Sequence, residues 1–275
     1  MEFLENEFKG KNITVGVIIP TFNRPDLAHK AILSALNQTY EPHEVIVIDD
    51  GSSEENFRTL MELTKDLKVK IIRTGGTRSV GQARKKGMQE LTSDFVAFLD
   101  DDDYWLSTKL EIQVDYLMES GARAVSCLPT DSTNRYEGPE VDVFTLRDLI
   151  KDNRILMSGV VVQLQILKDV GFFATSFSVR AIEDWATWLR VSTFTDWHRQ
   201  NKPLVYYENL SPDSLRKFDD FFDQQYRPFF AYLDFLAWSK NQKVNVRYFS
   251  LLLRIFKFNL MVFASIRKLL SISPK

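Results

Sequence analysis

Four short apolar runs alternate with helical stretches in the first hundred residues, and each run ends in a polar cluster or a loop. Thr14–Val15–Gly16–Val17–Ile18–Ile19–Pro20, Glu44–Val45–Ile46–Val47–Ile48, Val69–Lys70–Ile71–Ile72–Arg73 and Phe95–Val96–Ala97–Phe98–Leu99 read as strands. Continuous apolar runs of this length are the signature of parallel strands buried on both faces. Helices are expected over 25–37, where Pro25 stands at a favourable first position, over 54–65 and over 80–91. The order β-α-β-α-β-α-β implies a mostly parallel, doubly wound α/β sheet. In such a sheet the segments after the strands gather along one edge, where ligands bind. Thr21–Arg24, Asp49–Ser53 and Asp100–Asp103 all fall there.

The last of these clusters is four consecutive aspartates. Carboxylates crowded at the end of a buried strand repel one another, so a positive partner is expected. A divalent metal is the simplest, and Mg²⁺ is usually held by one or two carboxylates plus substrate phosphates. One aspartate would suffice to cap the following helix; four exceed that need.

Other classes are excluded by composition. The net charge of −2 gives no global signature for nucleic acid. The single Cys127, set among apolar residues, permits no intrachain disulfide and reads as a core residue in a reducing compartment. His29, His43 and His198 lack the spacing of a zinc site. The polar, acidic N-terminus does not read as a signal peptide. No G-x-G-x-x-G follows the first strand, so the dinucleotide fingerprint is missing.

Beyond residue 100 the pattern is less regular. Helices are expected over 107–118 and 164–170 and from Ala181 onward, and strands over 123–128, 157–163 and 204–207. From about Ser211 the composition shifts to an aromatic-rich helical stretch over 213–240, then an apolar and basic one over 244–272. Arg254 and Lys257 interrupt the latter and argue against a membrane span. A basic helix with Phe and Leu on its other face suits an anionic membrane surface, or it packs on the preceding domain. Two domains are expected, over 1–210 and 211–275.

Taken together, Val17–Ile18–Ile19–Pro20–Thr21–Phe22–Asn23–Arg24, Ser34–Ala35–Leu36–Asn37–Gln38–Thr39–Tyr40, Val47–Ile48–Asp49–Asp50–Gly51–Ser52, Phe98–Leu99–Asp100–Asp101–Asp102–Asp103–Tyr104–Trp105 and Glu183–Asp184–Trp185 with Trp188–Leu189–Arg190 resemble the family 2 glycosyltransferases of the GT-A fold. The resemblance covers about residues 12–210. It implies an inverting, metal-dependent transfer of a hexose from a nucleotide sugar, UDP-linked by preference, in cell-surface polysaccharide synthesis. By resemblance, Pro20, Thr21, Asn23 and Arg24 lie beside the nucleotide, Asp49 and Asp50 at its base, and Arg78, Gly81 and Arg84 in the segment closing over it. Asp100 or Asp101 lies toward the ribose, Asp102 is the ligand for Mn²⁺ or Mg²⁺, and Asp184 is the general base, with Glu183 and Trp185 on the acceptor side. The implied partners are a nucleotide-sugar donor, a glycan or lipid-linked acceptor and the inner face of the plasma membrane, with no nucleic acid.

These roles suit the chemistry. A cation at the diphosphate offsets charge that grows as the glycosidic bond breaks, and inversion needs a base on the opposite face of the sugar. The chain departs from the resemblance in two places. No His follows the last strand in Tyr206–Tyr207–Glu208–Asn209–Leu210, which leaves the rest of the metal shell open. Gly171–Phe172–Phe173–Ala174 stands where a Gly-Gly-Phe-Asp turn is common. Two alternatives are a sugar nucleotidyltransferase, whose Gly-rich loop would follow the first strand rather than the third, and a non-catalytic sugar-nucleotide-binding scaffold, which intact Asp102 and Asp184 argue against.

Overall fold

The computed structural model describes residues 8, 11–77, 79–130, 139–176, 179, 181–207 and 221–242, with side chains from 229 in the last stretch. The expected alternation is present: β1 (Val15–Thr21), α1 (Pro25–Leu36), β2 (Glu44–Asp49), α2 (Glu54–Thr64), β3 (Lys70–Arg73), α3 (Val80–Gln89) and β4 (Phe95–Phe98). Then come β5 (Tyr104–Trp105), α4 (Lys109–Ser120), β6 (Ala124–Pro129), β7 (Val141–Phe144), α5 (Leu146–Leu149), β8 (Val161–Gln163), α6 (Leu164–Asp169), α7 (Glu183–Val191), β9 (Trp197–Tyr206) and α8 (Phe221–Asn241).

The sheet runs β3-β2-β1-β4-β8-β6-β9-β5, with β7 paired to β9. Its first four strands are all parallel. In the other half β6 and β9 run parallel, while β8, β5 and β7 pair antiparallel with their neighbours. In-register pairing places Thr21 opposite Asp49 and Asp49 opposite Arg73, so the polar clusters share one edge.

Strand alternation splits the core in two. Val15, Val17 and Ile19 of β1 with Phe95 and Ala97 of β4 meet α1 and α4 on one face. Ile18, Val96 and Phe98 meet α3, α6, α7 and α8 on the other. Ala231, Tyr232, Phe235 and Trp238 of α8 are buried in that second cluster with Trp188 of α7. Arg190 of α7 pairs with Asp234 of α8 at 2.5 Å, fixing the two helices side by side. The aromatic-rich segment is helical over Phe221–Asn241; its first part, 213–220, and the basic 244–272 stretch lie outside the described residues.

Several short or edge elements escape the periodicity, the four-residue α5 among them. β5 is two residues long and exists through its pairing with β9. β7 is an edge strand on β9. β9 begins at Trp197 rather than near Leu204, because β6 and β7 both supply ladder partners to the polar stretch 197–201. The strand expected over 157–163 is shorter, since Met157–Gly159 forms a single 3₁₀ turn before β8.

Candidate active site

Each of the four aspartates is held by a side-chain partner. Asp101, 8 % exposed, accepts a 2.7 Å hydrogen bond from the Thr21 hydroxyl and lies 3.3 Å from an Arg24 guanidinium nitrogen. The same nitrogen reaches Asp102 at 3.1 Å. Asp100 pairs with Arg84 at 2.5 Å. Asp103, buried, accepts from Ser158 Oγ at 2.5 Å, and Ser158 Oγ in turn accepts from the Asp100 backbone N–H at 3.1 Å. Ser158 thus ties the first and last aspartates of the turn together. Its own carbonyl accepts the Trp105 indole N–H, the Gly159 carbonyl accepts from Gln113, and the Val160 carbonyl from Lys109.

The charge balance follows from burial. Burial pushes the Asp101 carboxyl up to about 7, against the Thr21 hydroxyl and Arg24, which pull it down. Asp102 is also raised, first by burial and then by the charge of Asp100, with Arg24 only partly opposing. Burial alone would lower Arg24, but Asp101 and Asp102 outweigh it and hold the guanidinium above its ordinary value.

At the neighbouring strand end Asp50 accepts three hydrogen bonds. It accepts from the Thr74 hydroxyl at 2.7 Å, the Thr77 backbone N–H at 2.8 Å and the Thr77 hydroxyl at 2.9 Å, and so fixes the loop after β3. Gly51 makes that loop possible. It has φ +83°, and a Cβ there would stand 2.6 Å from Gly76 Cα. Asp49 turns into the sheet edge, 1 % exposed and 3.4 Å from Arg73 Nε. Asn23, at φ +56°, accepts from the Ser53 backbone N–H, and its own N–H donates to Ser52 Oγ, so the loops after β1 and β2 are bound to each other. Pro20 is a buried residue of β1 opposite Ile48. Between these loops Phe22 is 54 % exposed, although nothing in the sequence pattern singled it out.

The other wall is α7. Glu183 is buried and lies 3.3 Å from Arg84, so a chain Asp100–Arg84–Glu183 crosses from the β4 turn to the start of α7. Gly81 permits the approach, since a Cβ there would lie 3.0 Å from the Ala174 carbonyl and 3.2 Å from Glu183 Cγ. Burial raises the Glu183 carboxyl, with Arg84 opposing and Asp184 adding to the rise. Asp184, next on the helix, accepts from Asn153 Nδ2 at 3.1 Å. Trp185 is buried, and its indole N–H donates to the Leu149 carbonyl, which commits it to the core.

The structure therefore gathers Thr21, Arg24, Asp100, Asp101, Asp102, Arg84 and Glu183 into one network, with Asp184 at its margin. Arg78 lies outside the described residues. Ser158, Asn153, Thr74 and Thr77 were not legible as site residues, because each acts through a contact far away in sequence. His198 is bonded to Tyr116 of α4 rather than to the aspartates. Among the described residues no three His, Cys, Asp or Glu side chains could hold a metal ion between them.

Known proteins resemble this arrangement. The model of Glycosyl transferase family 2 matches residues 16–157. An Escherichia coli protein named UDP-Glc:alpha-D-GlcNAc-diphosphoundecaprenol beta-1,3-glucosyltransferase is 31 % identical over 106 residues, 38 % of this chain and 42 % of that one. A Campylobacter jejuni protein named GalNAc(5)-diNAcBac-PP-undecaprenol beta-1,3-glucosyltransferase is 34 % identical over 144 residues, 51 % of this chain and 45 % of its own length. The chain spans less than half the length of these curated relatives. Among solved structures, Staphylococcus aureus TarS 1–349 in complex with UDP-GlcNAc superposes with TM-score 0.65 at 17 % identity, over 81 % of this chain and 66 % of that one. A Pyrobaculum calidifontis mannosyltransferase in complex with GDP-Man and Mn²⁺ superposes with TM-score 0.58 at 16 % identity, over 92 % of this chain and 81 % of that one. With a match across half its length and the sheet edge built as described, the chain belongs to glycosyl transferase family 2 and has the GT-A fold.

Proposed function

We propose that the chain transfers a sugar, with inversion, from a nucleoside diphosphate donor to a glycan or lipid-linked acceptor. The observation that carries this reading is the pairing of two acidic walls: the aspartate turn after β4 and the Glu183–Asp184 pair that opens α7, linked through Arg84. In this reading the donor lies over the ends of β1, β2 and β4. Asp50 and its threonines shape the base pocket, Phe22 offers an aromatic face, and Arg24 meets the diphosphate side. Asp184 accepts the proton of the attacking hydroxyl from the opposite wall, while the nucleoside diphosphate leaves on the side of the aspartates.

The residues fit a divalent ion of the Mg²⁺ or Mn²⁺ kind that the donor completes. A cage of protein ligands alone does not fit, since no three ligating side chains meet among the described residues. A single carboxylate plus diphosphate oxygens does fit, because Asp102 is pushed up first by burial and then by Asp100, with Arg24 only partly relieving it. When bound there, the ion supplies Lewis acidity and offsets charge on the departing diphosphate.

UDP is favoured as the nucleotide because the named E. coli relative uses UDP-Glc and TarS is bound to UDP-GlcNAc. A diphosphoundecaprenol-type acceptor is favoured by the names of the bacterial relatives. Such an acceptor would bring the chain to a membrane surface on the cytoplasmic side. No helix among the described residues is long and apolar enough to cross a membrane. Docking would then fall to the basic 244–272 segment. Calorimetry with UDP tests the site directly. UDP should bind in Mn²⁺ and weaken at least tenfold with EDTA or in Asp102→Ala. If UDP does not bind the wild type in Mn²⁺, the reading fails.

A further inference from the structure

We infer that Arg84 is a positioning residue, a strut that sets the distance between the donor turn and the base helix, and not a nucleotide ligand; this rests on the transferase reading above. By resemblance its segment closes over the nucleotide. Its side chain, however, is 5 % exposed and already committed at both ends, to Asp100 at 2.5 Å and to Glu183 at 3.3 Å. The guanidinium lies 5.4 Å from the Phe173 ring centroid, and that ring packs edge-on against Phe98 of β4 and Trp188 of α7. Cation, ring and both acids thus sit between the two elements that must hold donor and base apart.

The site is built for this contact. The helix α3 approaches α7 at Gly81, where a Cβ would fall 3.2 Å from Glu183 Cγ. Burial alone would lower the Arg84 pKa, but Asp100 and Glu183, with a further contribution from Asp184, hold it above its ordinary value. The cation therefore stays charged at every working pH. A planar guanidinium serves two carboxylates from fixed directions, which a lysine ammonium cannot do. Glu183 has the matching role: it is the strut's foot on α7 and places Asp184, the next residue, without touching substrate.

The test uses the full chain with Arg84→Met, Arg84→Lys, Glu183→Gln and the double variant Arg84→Met/Glu183→Gln. Three quantities are read: the unfolding equilibrium in urea, the Kd for UDP in Mn²⁺, and kcat with the donor that the wild type turns over. A strut predicts kcat lower by about 10²-fold in Arg84→Met and in Glu183→Gln, since a misplacement of about 1 Å is enough for that loss. It predicts UDP affinity within about fivefold of wild type, a smaller kcat loss in Arg84→Lys, and a double variant no worse than Arg84→Met alone, as for residues acting as a unit. A tenfold or larger loss of UDP affinity in Arg84→Met with none in Glu183→Gln would make Arg84 a nucleotide ligand and overturn the inference. So would kcat losses that multiply in the double variant. If the wild type turns over no donor, the transferase reading falls by itself. The strut is then judged on the unfolding cycle, where coupling below threefold between Arg84 and Glu183 overturns it and coupling above tenfold supports it.

Discussion

Replacing Ser158 by alanine should loosen the aspartate turn. The hydroxyl serves two groups, donating to the Asp103 carboxylate at 2.5 Å and accepting from the Asp100 N–H at 3.1 Å. A hydrogen bond to a charged group contributes about 1.5–3 kcal/mol, and a buried N–H left without a partner costs about 1–3 kcal/mol. Together these give about 2.5–6 kcal/mol, and at about 2–4 °C per kcal/mol for a domain of this size the melting temperature should fall by about 5–24 °C. Ser126→Ala is the control. Its hydroxyl is equally buried but has no hydrogen-bond partner among the described residues, so its loss should be neutral or slightly stabilising. Scanning calorimetry of the two variants decides the matter. A Ser158→Ala shift under about 2 °C, or one equal to that of Ser126→Ala, would refute the claim that Ser158 holds the turn closed.

Two further outcomes follow, one from a buried lysine beside the same turn and one from the glycine loop after β2. Lys109 is fully buried over the Trp105 ring, and burial lowers its pKa to about 7. Between pH 7 and the unfolded value the unfolded chain holds a proton that the folded chain gives up, so stability should rise with pH across that window. Lys109→Met should lose this rise, read from urea unfolding at pH 7 and 9; parallel pH slopes for the two proteins would contradict it. Gly51→Ala should cost at least about 2 kcal/mol, because the left-handed backbone and the clash with Gly76 act together; a cost below about 0.5 kcal/mol would mean the two loops do not pack as described.

The parallel half of the fold was legible because β1, β2 and β4 are buried on both faces and read as unbroken apolar runs, with β3 at the sheet's end carrying exposed Lys70 and Arg73 around Ile71 and Ile72. Its helices carry plain signals, such as Pro25 opening α1 and Ser53 accepting from the Asn56 N–H to cap α2. The other half was less legible for a physical reason. Trp197–His198–Arg199–Gln200–Asn201 has no strand-like alternation and becomes β9 only because β6 and β7 flank it. The site divides in the same way. Residues at strand ends, such as Asp50 and Asp102, announce themselves by position. What each carboxylate does depends on partners that only folding brings near. Asp49 and Asp50 are adjacent, yet one pairs with Arg73 inside the sheet edge and the other binds the Thr74–Thr77 loop. Arg84 and Glu183 stand about a hundred residues apart in sequence, assigned by resemblance to the donor and acceptor sides, and are buried against each other in the fold.

The central claim is tested most directly by turnover. The full chain, with Mn²⁺ and a polyprenyl-diphosphate-linked sugar acceptor, would be given a panel of nucleotide sugars, and nucleoside diphosphate release read alongside mass analysis of the acceptor. The account predicts one preferred donor, a product heavier by one sugar, and loss of at least about 10²-fold in rate for both Asp102→Ala and Asp184→Asn. Transfer that persists in either variant, or a wild type that binds UDP yet glycosylates nothing across the panel, would contradict it.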